Sequence, residues 1–248
     1  MPMPSVRVNG IDVYYEISGQ GYPLLIVPGL GMDLTQLGGI VTDLSARHMV
    51  IAFDNRGVGR TDKPDIPYSI DMMGEDTAGL LDAIGIAKAD VLGISLGGKI
   101  ALSLAIHHHE KVRSLILAST SARANYRRGV FWALSNMLIR IPYVRAVGTR
   151  FPQPYFAYVR QRDASLSYDA TDRLQGVMTP TLILHGKSDR VAPYYLAEEI
   201  HDGIRGSVLI GLDGGHLFFY AREKEFAASI EGFLRTRSAE PSKTTPQP

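Results

Sequence analysis

Apolar residues fall into two rhythms along this chain. Short, almost wholly apolar runs lie at 24–27, 48–53, 89–94, 113–118, 181–185 and 207–212, lengths that fit strands buried on both faces. Between them, apolar residues recur three and four apart over 70–83, 96–107, 194–204 and 224–236, the spacing of helices with one buried stripe. Strand alternating with helix predicts an α/β fold: a mostly parallel central sheet of about eight strands, flanked by helices and joined by right-handed crossovers. The N-terminus departs from the rhythm. Residues 6–9 and 12–17 read as two strands joined by an Asn9-Gly10 turn, a tight hairpin expected at the sheet edge.

The stretch 121–177 lies between the sixth and seventh strands and is far too long for an ordinary connection. It reads as an inserted helical cap, with helical spacing over 130–139 and breaks at Pro142, Pro152 and Pro154. The expected organisation is therefore a core of 1–120 and 178–237, a cap of 121–177, and a Pro-containing tail of 238–248 read as disordered. Over 121–175 there are nine Arg, no Lys and three acids, a formal balance of +6 against +1 for the whole chain. The same stretch holds nine aromatic residues. Tyr126, Phe131, Trp132 and Tyr155 are taken from it as candidate pocket residues.

Whole-chain composition removes several functions. With 26 Lys and Arg against 25 Asp and Glu, there is no basic field for a nucleic-acid partner. No Cys is present, which excludes disulfides, thiolate metal sites and a cysteine nucleophile. The start lacks a basic segment followed by an apolar one, and no apolar run approaches the roughly 18 residues of a membrane span. The reading is a cytoplasmic protein of undetermined oligomeric state, with a small-molecule substrate.

The candidate chemistry centres on Gly93-Ile94-Ser95-Leu96-Gly97. Among 25 glycines that pattern alone is weak, but an apolar strand runs into it and a helix runs out. Such a turn lifts the serine oxygen out of the sheet, and it needs Gly93, Gly97 and Gly98 because side chains there would collide with a strained backbone. The plainer alternative is a helix-capping serine at a Gly-rich strand end. A serine hydroxyl needs a base in reach and a group holding that base's tautomer. In the strand–serine–helix arrangement the acid and then the histidine follow on later post-strand loops. Asp189, after the strand 181–185, and His216, after 207–212, lie in those places; their plainer readings are a turn residue and a loop histidine. His107, His108 and His109 close a helix, where imidazoles favour the negative dipole end over a metal site. His48, His185 and His201 sit at a strand start, a core-facing strand end and a surface helix. No metal or cofactor is required. Backbone donors for a developing oxyanion are expected at Leu96, after the serine, and at Leu30 in Pro28-Gly29-Leu30-Gly31, where the alternative is a simple Gly turn. Gly186-Lys187-Ser188 is no phosphate loop, since position 181 is Thr, and Gly57-Val58-Gly59 lacks the third glycine of a dinucleotide fingerprint.

With these residues in hand, the chain resembles the α/β-hydrolase superfamily from about residue 6 to 234, and within it the small carboxylesterase and 3-oxoadipate enol-lactonase branch. The resemblance rests also on residues 54–62, Asp-Asn-Arg-Gly-Val-Gly-Arg-Thr-Asp, similar to the stretch after the fourth strand in that family. Pro28 stands where many relatives carry His, and the cap is short and Arg-rich. Ser at position 95, in place of Asp, argues against dehalogenase and epoxide-hydrolase chemistry. The resemblance implies hydrolysis of a carboxylic ester or lactone through a Ser-His-Asp triad and an acyl-enzyme. Carbon–carbon hydrolysis, perhydrolysis or acyl transfer on the same triad remain alternatives, as do a ligand receptor with an idle triad and a cap that docks on a membrane surface. The cap arginines either bind an anionic substrate end or lie on the outer face of the lid.

Overall fold

In a computed structural model, the described residues are 4–124 and 149–238. They form an eight-stranded sheet: β1 (Ser5–Val8), β2 (Ile11–Ser18), β3 (Pro23–Val27), β4 (Met49–Phe53), β5 (Ala89–Ile94), β6 (Val112–Ala118), β7 (Thr181–Gly186) and β8 (Val208–Leu212), in the order β1-β2-β4-β3-β5-β6-β7-β8. β2 runs antiparallel to β1 and to β4, and every other pairing is parallel. The hairpin turn holds Asn9 at φ +46° and Gly10 at φ +80°, the two left-handed positions that a tight Asn-Gly turn requires.

Alternate residues of each central strand enter two separate cores. Leu25, Val27, Ile51, Phe53, Val91 and Ile183 pack on one face with α2 (Ile70–Ala83), α3 (Leu96–His107) and α5 (Tyr195–Gly203). Leu24, Ile26, Val50, Leu92, Ile116 and Leu184 pack on the other with α1 (Gly38–Ser45), α6 (Phe218–Ala221) and α7 (Glu223–Ser238). Both faces are covered, so the strands are apolar without alternation. The α2 start follows from Ser69, whose Oγ accepts the Met72 amide at 3.0 Å, satisfying an amide that lacks a helical partner. At its other end Gly85 takes φ +76° and the Ile86 amide reaches back to Leu81.

α1 is absent from the periodicity reading because it opens on Gly38-Gly39, poor helix formers. Its glycine has a packing reason: a Cβ on Gly39 would overlap the Glu223 carboxylate at the start of α7. Within the insertion, α4 (Tyr155–Ser167) buries Ala157, Gln161 and Ala164, a helical face with no large apolar residue. The helical spacing at 130–139 and the tail beyond 238 lie outside the described residues. Among the described insertion arginines, Arg123 pairs with Glu199, Arg160 with Asp65 and Arg162 with Asp163. No helix among the described residues is long and apolar enough to cross a membrane.

The loop after β4 is tied to α2 by a buried, two-pronged ion pair. Arg56 Nε and Nη2 donate to Asp76 Oδ2 and Oδ1, both at 2.7 Å, with side chains 5% and 4% exposed. Asn9 Nδ2 adds a third donor to Asp76 at 3.2 Å. Removing one partner strands a charge that water cannot reach. Asp76→Ala is therefore expected to lower the unfolding free energy by about 3 kcal/mol or more in urea titrations, and a loss under ~1 kcal/mol, the size of an exposed pair, would contradict that assignment.

Candidate active site

Three loops at the carboxyl ends of β5, β7 and β8 bring together Ser95, Asp189 and His216, the residues that sequence reasoning nominated. Ser95 stands between β5 and α3 at φ +55°, ψ −115°, a conformation L-residues rarely adopt and one that costs on the order of 1–3 kcal/mol. The turn is that tight because α3 abuts β3. A Cβ on Gly97 would overlap the carbonyl of Val27, and one on Gly93 would overlap that of Gly97. The strained residue is pinned by hydrogen bonds from its amide to Ala118 O (2.8 Å), from the Gly98 amide to its carbonyl (3.0 Å), and from Thr120 Oγ1 to the same carbonyl (2.7 Å).

Ser95 Oγ lies 3.0 Å from His216 Nε2, and His216 Nδ1 lies 2.7 Å from Asp189 Oδ2. With Nδ1–H donating to the carboxylate, Nε2 is left to accept the serine proton. Asp189 has a fully buried side chain. Burial opposes its ionisation, but His185 and His216 beside Oδ2 and the Ala192 amide on Oδ1 outweigh it and hold the carboxyl well below the usual carboxylate range. The Val191 amide also donates to Oδ1, at 2.8 Å. His185 is wholly buried; its Nε2 donates to Ala192 O at 2.7 Å and sits 3.4 Å from Asp189 Oδ2. His48, His108 and His201 instead meet Glu231, Glu75 and Ser207. Among the described residues, no group of three or more His, Asp or Glu could hold a metal ion.

Leu96 opens α3, so its amide is one of the unpaired donors at a helix N-terminus. Leu30 lies in the loop after β3, which closes on the serine: a Cβ on Gly29 would come within 3.4 Å of Ser95 Cβ. Three bonds shape this loop. Asn55 Nδ2 donates to Pro28 O (2.9 Å), the Met32 amide to Gly29 O (3.1 Å), and the Gly31 amide to Gln161 Oε1 (3.1 Å). The stretch 54–62 is thus a brace as much as a motif: Asp54, wholly buried, accepts the amides of Leu34 and Arg60, both at 2.8 Å.

Sequence reasoning missed several residues that support the site. Ser119, at φ +48°, donates to His216 O at 2.8 Å, and its neighbour Thr120 holds Ser95; the one signal was a run of hydroxyls at the end of β6. Asn55 and Gln161 carry no sequence signature. Lys99, one turn beyond Ser95 and 5% exposed, donates to Ser165 O near the end of α4 (2.8 Å), and burial pushes its ammonium down to about 8. Of the candidate pocket residues, Tyr126, Phe131 and Trp132 lie outside the described residues, and Tyr155 is half-buried in the first turn of α4. The aromatic side chain beside Gly31 is Tyr158.

Comparison with known proteins adds a lineage to this geometry. A family described as "alpha/beta hydrolase fold" matches residues 22–142. The chain is 31% identical, over 93% of its length and 98% of the relative's, to the "Putative carbamate hydrolase RutD" of Azorhizobium caulinodans. It is 28% identical, over 93% of each, to a 2-hydroxymuconate semialdehyde hydrolase of Pseudomonas sp.. The crystal structure of an enol-lactonase from Burkholderia xenovorans superposes with a TM-score of 0.83 at 26% identity, covering 94% of this chain and all of that one.

A carboxyl whose folded pKa is depressed contributes stability above its unfolded value, near 3.9, and loses it as pH falls toward the folded value. The stability difference between wild type and Asp189→Asn should therefore shrink as pH falls below about 4. Urea unfolding at a series of pH values reads it; a difference unchanged down to pH 3 would contradict the depressed carboxyl.

Proposed function

Because the chain belongs to the α/β-hydrolase family, we propose that it is a serine hydrolase cleaving a carboxylic ester or lactone through Ser95, His216 and Asp189. The observation that carries this reading is the unbroken hydrogen-bond chain, 3.0 Å from Ser95 Oγ to His216 Nε2 and 2.7 Å from Nδ1 to Asp189, set on a strained serine at the mouth of the sheet. The relatives support the same carbonyl chemistry, one being an enol-lactonase by its title and another a carbamate hydrolase by its name.

In the reaction, Ser95 Oγ bonds to the substrate carbonyl carbon while its proton passes to His216 Nε2. The charge left on the carbonyl oxygen is taken by the amides of Leu30 and Leu96, donors fixed before the reaction and needing no reorganisation. Asp189, kept ionised, stabilises the imidazolium and holds its tautomer. Collapse of the tetrahedral adduct breaks the bond to the alkoxy oxygen, which leaves with the proton from Nε2. Water, deprotonated by His216, then attacks the acyl-enzyme, and the carboxylic acid departs as the serine regains its proton. In a lactone both products remain one hydroxy acid. Segment 121–177 acts as the cap over this site, and Tyr126, Phe131, Trp132 and Tyr155 are its candidate substrate-facing aromatics. Arg123, Arg160 and Arg162 face Glu199, Asp65 and Asp163, so these three are not assigned to an anionic end of the substrate.

Initial rates on p-nitrophenyl esters from acetyl to decanoyl, together with a lactone, test the reading. Ser95→Ala and His216→Ala are each expected to reduce kcat by 10⁴-fold or more, on the order of losses seen when triad members are removed. Turnover surviving in Ser95→Ala would overturn the mechanism. The chain length giving the highest kcat/KM would size the acyl pocket.

A further inference from the structure

The cap helix α4 carries a polar side chain that no step of this reaction uses, and it is completely buried. Gln161 Oε1 accepts the Gly31 amide and Gln153 Nε2, each at 3.1 Å, while its Nε2 donates to Arg56 O at 2.9 Å. One side chain from the cap thus joins the loop after β3 to the loop after β4. Its neighbours on the buried face, Ala157 and Ala164, are small, which lets the α4 backbone come close enough for a glutamine to span the gap.

The residue it grips is the one after Leu30. Gly31 takes φ +69°, and its N–H lies in the peptide plane that follows Leu30 Cα. The plane before Leu30 Cα, the one bearing the Leu30 N–H, is fixed by the bond from the Met32 amide to Gly29 O. Gln161 adds a hold on the second plane, so both peptides that flank Leu30 are tied. Without it, the second plane loses that bond and the turn around Leu30 is secured at one peptide only.

We propose that Gln161 is a positioning residue for the oxyanion site: by gripping the Gly31 amide from α4 it fixes the loop that carries the Leu30 amide. The assignment rests on Ser95 being the nucleophile. A misaimed donor weakens the transition state but not the bound ester, whose carbonyl carries little charge. A general role in anchoring the cap would act through helix placement instead, and Lys99 offers the comparison. It ties the other end of the same helix, through Ser165 O, without touching the loop after β3.

The test uses the full chain, beginning with a fluorophosphonate probe on wild type and Ser95→Ala. Labelling of wild type alone upholds the nucleophile; no labelling of wild type sinks that reading and this assignment with it. Gln161→Met, Gln161→Glu and Lys99→Met are then measured with the best ester of the panel and with a trifluoromethyl ketone of the same acyl chain, which forms a tetrahedral oxyanion adduct on the serine. Gln161→Met is expected to lower kcat by about 10- to 100-fold, short of the ~10²–10³ lost with an oxyanion donor, with KM within about threefold and ketone affinity weakened by the same factor as kcat. Gln161→Glu keeps the acceptor for the Gly31 amide but loses the donor to Arg56 O, and should lower kcat by about two- to tenfold, its ketone affinity falling by the same factor. This variant carries the test if the Met variant does not fold. Lys99→Met should leave the ketone affinity at the wild-type value. Ketone affinity unchanged in the Gln161 variants, or lost equally in Lys99→Met, would overturn the assignment while leaving the Ser95 reading intact.

Discussion

Everything near the serine depends on one reversal of chain direction. β5 is buried over its whole length, and within a single residue the chain must turn into α3, itself pressed against β3 at Gly97. Only a left-handed residue at position 95 makes that turn, and the side chain there is carried above the sheet edge. The strain is of the order of a few hydrogen bonds, ~1–3 kcal/mol, and it is met by three bonds that hold the amide and carbonyl of Ser95 from β6 and α3. Position 119 repeats the device at the end of β6, a second strained serine whose hydroxyl holds the His216 carbonyl. Two adjacent hydroxyls, Ser119 and Thr120, just past the end of β6, therefore hold the backbone of both loops whose side chains meet at 3.0 Å, Ser95 and His216.

The scaffold was legible in the sequence because burial on both faces leaves little choice. β3 to β8 lie within a residue of the six apolar runs, the hairpin strands within a residue of 6–9 and 12–17, and α2 and α3 begin and end where the periodicity does. The convergence of Ser95, Asp189 and His216 was legible because glycines, a strand and a helix flank the serine, and each partner follows a strand. Three helices were not legible, for different reasons: α6, of four residues, is too short to show a period. α1 has glycine where α7 presses on it, and α4 turns Ala157, Gln161 and Ala164 inward, a face that a search for large apolar residues passes over. The supporting residues Asn55, Ser119, Thr120 and Gln161 were illegible for a common reason: each acts through a backbone carbonyl or amide from a distant segment, and polar residues in loops read as solvated until the partner is known.

Two buried carboxylates show how position, not residue type, assigns chemistry. Asp54 and Asp189 are both shut off from solvent, and both accept two backbone amides. At Asp54 burial prevails over the Arg60 and Leu34 amides, and its carboxyl is raised. At Asp189 the same opposing effect of burial is overcome by the two imidazoles beside Oδ2. A carboxylate kept ionised against an imidazole can stabilise the imidazolium that forms when the serine gives up its proton. A carboxyl whose ionised form is disfavoured, occupied by loop amides, can only brace. The one is therefore placed on a loop facing His216, and the other beneath the loops that bear the Leu30 amide.

The division between core and cap follows from these supports. Ser95, His216 and Asp189 take every hydrogen bond described for them from the sheet, its loops and α3. The Leu30 amide differs, because the residue beside it is held by a glutamine on an inserted helix. The pairing of Ser95 with His216 and Asp189 thus involves no residue of α4, whereas the Gly31 amide takes its partner from that helix. Since catalysis depends on groups already aimed where charge will develop, the consequence of the proposed Leu30 donor is that one buried glutamine ties α4 to the geometry of the loop bearing it.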